Sequence, residues 1–107
     1  MGKLAGILYH PRVPEAQVLG TQIADLLEAR GYEAWRTSAW AENEVKHLMP
    51  GTSGVITIGG DGTILRAARA IIPAPCPIIG VRYGRLGFLA EITPEEALER
   101  VPAMLEN

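Results

Sequence analysis

The sequence predicts an α/β fold, a mostly parallel sheet covered by helices on both faces, and three observations carry that expectation. Strand-like and helix-like segments alternate along the chain with short connections between them, the pattern of a parallel sheet whose crossovers are helices. The strand-like segments are buried in character or rich in β-branched residues, as in "LAGILY" and "GVITI". The 107 residues suffice for one domain, and no internal repeat, low-complexity segment or linker divides them.

Taken in order, "LAGILY" (Leu4 to Tyr9) is the first strand, closed by "HPRVP", whose prolines break any helix. From Pro14 to Arg30 the apolar residues Val18, Ile23, Leu26 and Leu27 follow a helical period, and Gly31 stands where a helix C-terminus favours glycine. "YEAWR" reads as the second strand, "WAENEVKHLM" as a weaker helix ended by "PGTSG", and "GVITI" as the third strand. Thr63 then caps a helix through "ILRAARAII" as far as Pro73. "PIIGV" is the fourth strand and "RYGRLGFLAEI" an irregular segment. "TPEEALERVPAMLEN" opens a last helix with Thr93 as N-cap and Pro94 at the first helical position, and Pro102 leaves its end open. The sum is a Rossmann-like three-layer domain.

Composition narrows the function. Hydrophobic residues make up 48% and charged residues 21% of the chain, values of an ordinary globular domain. A net charge of -2 supplies no basic footprint for nucleic acid or an anionic membrane surface. No apolar run reaches the length of a membrane span, and "MGKLAGILYHPR" is too short in its apolar part for a signal peptide. The lone Cys76 cannot form an internal disulfide and reads as a small half-buried apolar residue, so the expected location is a reducing cytoplasm. No Cys/His cluster has metal-ligand spacing, and no protein-made metal site is expected.

Ligands of parallel α/β sheets bind beyond the C-terminal ends of the strands. Three segments fall there: "HPR" after the first strand, "GGDG" after the third and "RYGRLGF" after the fourth. Gly59, Gly60 and Gly62 free the backbone so that amides can approach a ligand, and the following helix aims its N-terminus at the same point. The spacing is neither the Gly-x-Gly-x-x-Gly of a dinucleotide fingerprint nor a P-loop, so an ordinary Rossmann oxidoreductase or P-loop ATPase is disfavoured. Asp61, ionised at neutral pH, can accept the proton of an alcohol attacking a phosphoryl group. Mg²⁺ or another divalent cation would be held largely by the phosphates. Arg66 and Arg69 share a helix face that reads as solvated, although Arg66 is also a candidate binding residue. His10 and Arg12 are within reach of a phosphate, but a turn role is favoured for His10; Trp35 and Trp40 read as packing residues. Leu86, Phe88 and Leu89 offer either an apolar wall or closure of the core at the sheet edge.

Together "GGDGTILRAAR" and "GVRYGRLGFLAEI" resemble the N-terminal domain of the NAD kinase family, with its Gly-Gly-Asp-Gly-Thr loop and later Leu-Gly-Phe-Leu segment. The resemblance implies transfer of the γ-phosphate of ATP, or of polyphosphate, to the adenosine ribose 2′-hydroxyl of NAD. Asp61 would be the catalytic acid/base. Gly59, Gly60, Gly62 and Thr63 would handle phosphates, and Gly84, Leu86, Gly87 and Phe88 would line the dinucleotide pocket. It also implies that residues 1–107 are an N-terminal nucleotide-binding domain, inactive without a β-rich C-terminal NAD-binding domain, and that the parent protein is a homo-oligomer.

Arg82 stands where the family commonly has asparagine. The glycine loop alone is shared with diacylglycerol and sphingosine kinases, so a lipid kinase domain remains an alternative, as does a non-catalytic nucleotide-binding module.

Overall fold

Each strand among the described residues ends at the same edge of one sheet, because these strands all run in the same direction. The computed structural model describes residues 3–83 and 92–106. Its elements are β1 (Leu4–Tyr9), α1 (Pro14–Ala29), β2 (Glu33–Ser38), α2 (Glu42–Leu48), β3 (Gly54–Gly59), α3 (Asp61–Ala70), β4 (Ile78–Arg82) and α4 (Pro94–Glu106). The sheet is four-stranded in the order β2-β1-β3-β4, and all three pairings are parallel.

Side chains alternate across the strands and divide the core into two layers. Ile7, Ile56, Ile58 and Val81 meet α1 and α4 on one face, while Leu8, Val55 and Trp35 meet α2 and α3 on the other. All six residues of β3 are buried, as expected for a central strand covered on both sides. This is the expected three-layer arrangement.

Local chemistry explains the ends of the helices. Pro14 opens α1 at a position where its missing N–H costs nothing. At the other end Gly31 takes φ 94°, its N–H donates to the Glu28 carbonyl at 3.1 Å, and the Tyr32 N–H donates to the Leu27 carbonyl at 3.0 Å. That closes α1 in a Schellman motif, with Tyr32 and Leu27 buried in the same core layer. At the start of α4 one carboxylate oxygen of Glu96 accepts from the Thr93 N–H at 3.0 Å and from the Thr93 hydroxyl at 3.1 Å. The Thr93 N–H bond is the return arm of a capping box. The helix then continues through Pro102 to Glu106.

Several boundaries differ from the sequence reading by one to three residues, among them the end of α3 at Ala70 rather than Pro73. Tyr32 lies outside β2, which extends to Ser38 because β1 offers it a continuous ladder from Leu4↔Glu33 to Tyr9↔Ser38. Thr63 is not the cap of α3: the helix starts at Asp61, Gly60 occupies the cap with φ −124°, and no side chain bonds there. The Gly60 carbonyl already accepts from the Thr63 and Ile64 N–H groups at 3.1 and 3.3 Å, so the turn between strand and helix is shorter than the glycines suggested.

Candidate functional site

Winding reverses between β1 and β3. The chain passes from β1 to β2 on one side and then returns across β1 to place β3 and β4 on the other. Such a reversal opens a crevice beyond the C-terminal ends of the two central strands. His10 follows β1 directly, and its N–H donates to the Ile58 carbonyl of β3 at 2.9 Å, which ties the two ends together.

The three glycines of the loop have different reasons to be there. A Cβ on Gly59 would lie 3.0 Å from the His10 Cβ and 2.5 Å from the Thr63 Oγ1, so close approach of neighbouring elements demands glycine. Thr63 is fully buried below it, with an Oγ1 that has no hydrogen-bond partner. At Gly60 or Gly62, by contrast, a Cβ would meet no atom of the described residues within 4 Å, and neither residue has a positive φ. Packing and backbone conformation therefore do not require glycine at these two positions. What a bare backbone leaves clear is the way to the start of α3, where the helix dipole favours negative charge. Asp61 is the first residue of that helix and is partly buried.

Two of the three expected segments thus converge, and the third reaches the same point. Arg82 pairs with Gly59 in the β3–β4 register, and the Tyr83 N–H donates to the Gly59 carbonyl at 2.8 Å. Gly84, Leu86, Gly87 and Phe88 lie outside the described residues. Among the described residues no group of three His, Cys, Asp or Glu side chains could hold a metal, and no helix is long and apolar enough to cross a membrane.

A fourth post-strand segment joins the site, one that the sequence reading passed over. After β2 the Ala39 N–H donates to the Tyr9 carbonyl at 2.9 Å, and the Ser38 Oγ accepts from the Trp40 N–H at 3.0 Å. These bonds place the Trp40 indole against the His10 ring, centroids 4.6 Å apart, and against the Arg66 guanidinium, 4.0 Å from the ring centroid. Trp40 remains 41% exposed, so it is not the packing residue expected, and His10 does more than turn the chain. Trp35 is the packing tryptophan: it is buried, and its Nε1–H donates to Thr52 Oγ1 at 3.0 Å. The signal that could have separated the two is position, since Trp40 follows the C-terminal end of a strand and Trp35 lies inside one. Arg66 is only partly solvated, and its Nε is buried with no hydrogen-bond partner.

Two concavities flank the crevice. One of about 500 Å³ lies between α1 and α4, where Val18 and Leu98 are apolar and Glu15 and Glu95 supply negative charge. Burial, followed by those two carboxylates, pushes the Tyr83 phenol above its ordinary pKa. A phosphate would be repelled there despite the larger volume. The other, of about 320 Å³, lies between α2 and α3 and carries Lys46, Arg66 and Arg69 against the single acid Glu42.

Similarity to known proteins points to one family. A sequence profile of the ATP-NAD kinase N-terminal domain matches residues 12–107. A protein named NAD kinase from Dehalococcoides mccartyi (strain BAV1) is 42% identical over 98% of this chain and 37% of its own length. NAD kinases of Chloroflexus aurantiacus and Salmonella dublin are 38% and 34% identical, over 84% and 98% of this chain and 33% and 39% of their own lengths. The chain therefore spans roughly a third to two fifths of the relatives it matches.

Proposed function

We propose the following reaction for this chain, which belongs to the NAD kinase family: transfer of the γ-phosphate of ATP, or of a terminal phosphate of polyphosphate, to the 2′-hydroxyl of the adenosine ribose of NAD. The observation that carries the reading is the pairing of Asp61, at the first position of α3, with Gly60 and Gly62, whose missing side chains no contact among the described residues explains.

Asp61 accepts the proton of the 2′-hydroxyl as the oxygen attacks phosphorus; the O2′–P bond forms and the bond to the leaving phosphate breaks. The amides of Gly60 and Gly62 and the start of α3 orient the phosphates and favour the charge that gathers on them. Gly59 and Thr63 hold the loop against His10. Gly84, Leu86, Gly87 and Phe88 line the dinucleotide. A divalent cation carried on the phosphates would supply additional charge neutralisation. The lipid-kinase alternative is disfavoured, because likeness to NAD kinases extends over 98% of the chain and not over the loop alone.

The 107 residues act as an N-terminal nucleotide-binding domain and need a β-rich C-terminal domain to complete the NAD site. The full-length protein works in the cytoplasm as a homo-oligomer. The test is NADP formation from NAD, ATP and Mg²⁺ by the 107-residue chain beside the full-length gene product, with diacylglycerol and sphingosine as competing acceptors. Only the full-length protein should form NADP, and neither lipid should be phosphorylated. NADP formed by the short chain alone, or label found in lipid, would contradict the proposal.

A further inference from the structure

We infer that the groove between α2 and α3 is a second anion subsite, which takes a chain of linked phosphates and leads it to the glycine loop; the inference rests on the phosphoryl-transfer reading of that loop. Among the described residues Lys46, Arg66 and Arg69 line this groove with one acid, Glu42, a net charge of +2. The ion pairs Arg30–Glu106 and Arg100–Glu96 involve none of these three cations. Three cations facing one acid across one concavity attract a polyanion, and one phosphate would not engage groups spread over two helices.

Arg66 is the pivot of the arrangement. It lies five residues beyond Asp61, about 7.5 Å along the helix axis at the usual rise. Its guanidinium is held against the Trp40 indole, so its Nε is buried without a partner. A stacked guanidinium is already ordered and loses less freedom when it meets a phosphate. Trp40 is itself braced by His10, whose Cβ lies near the Gly59 backbone, so one run of contacts joins the loop to the groove. Buried Leu8 and Val45 make an apolar floor, and Ile72 stands exposed among the lining residues. That floor can seat a nucleobase, whereas an inorganic chain would use only the cationic rim.

The test is an NMR titration of the ¹⁵N- and methyl-labelled 107-residue chain with inorganic tripolyphosphate and, in a second arm, with ATP. Tripolyphosphate should move the Trp40 indole and the Arg66, Arg69 and Lys46 signals. Arg69→Gln and Lys46→Gln, both at exposed positions, should each weaken binding by about three- to tenfold, the scale of one charge-assisted contact. Tighter binding of ATP with shifts at the Leu8 and Ile72 methyls identifies a nucleotide as the occupant; equal affinity without those shifts identifies the inorganic chain. Shifts confined to Gly60, Asp61 and Gly62, or affinity unchanged by both substitutions, would overturn the groove and leave the loop's role intact. Absence of any binding would overturn it as well. Binding at the groove in a chain whose full-length protein makes no NADP would instead overturn the reaction proposed above and uphold the subsite.

Discussion

Thr57 and Gly59 are two residues apart on β3 and illustrate opposite pressures. Gly59 is held to glycine by His10 and Thr63, which close the crevice at its base. Thr57 is 1% exposed in the middle of the sheet, and its hydroxyl has no hydrogen-bond partner. An unpaired buried hydroxyl opposes folding, so Thr57→Val should raise stability by about 1 kcal/mol, read as a higher urea midpoint at unchanged slope. A lower midpoint would show that the hydroxyl is satisfied in solution. At this scale the sequence was readable where chemistry is local. The turn that carries Asp61 between a strand and a helix was placed from order and residue type alone. Trp40 was not, because its role depends on His10 and Arg66, which are distant in the chain and meet it only through the sheet topology.

The elements were legible to within a few residues wherever a cap or breaker is written into the chain. Gly31 ends α1 as expected, and its φ of 94° makes the position expensive for any side chain. Gly31→Ala should destabilise the protein by about 1 to 2 kcal/mol, measurable by thermal unfolding. No change would mean that the Schellman turn does not persist in solution. At α4 the Glu96 carboxyl is held below its ordinary value of 4.5, first by the Thr93 N–H, then by the Thr93 hydroxyl, with Arg100 assisting. Because the folded group ionises at lower pH than the unfolded one, its contribution is complete above about pH 4.5 and is lost as pH falls through the lower folded value. Glu96→Gln should therefore flatten the acid limb of the stability curve while leaving the Thr93 contact possible. An acid limb unchanged in the variant would contradict this. The start of α3 was misread because Thr63 is a good cap by type, whereas the backbone carbonyl of Gly60 already serves two amides.

At the scale of the molecule, parallel strands deliver four post-strand segments to one edge, and the reversal between β1 and β3 decides where a ligand can enter. Alternation of strands and helices made that edge predictable, but it does not rank the two flanking concavities. Charge ranks them, since Glu15 and Glu95 face one and Lys46, Arg66 and Arg69 the other. The chain spans about 37% of the length of a Dehalococcoides relative. Asp61 remains the point where the account is most exposed. The decisive measurement is the rate of NADP formation by the full-length protein and by its Asp61→Asn variant, beside the affinity of each for NAD and ATP. Asp61→Asn should lower kcat at least about a hundredfold, the scale of a general base, and change the affinities by less than about threefold. A variant that keeps its rate, or that loses rate and affinity in proportion, would remove Asp61 from the chemistry.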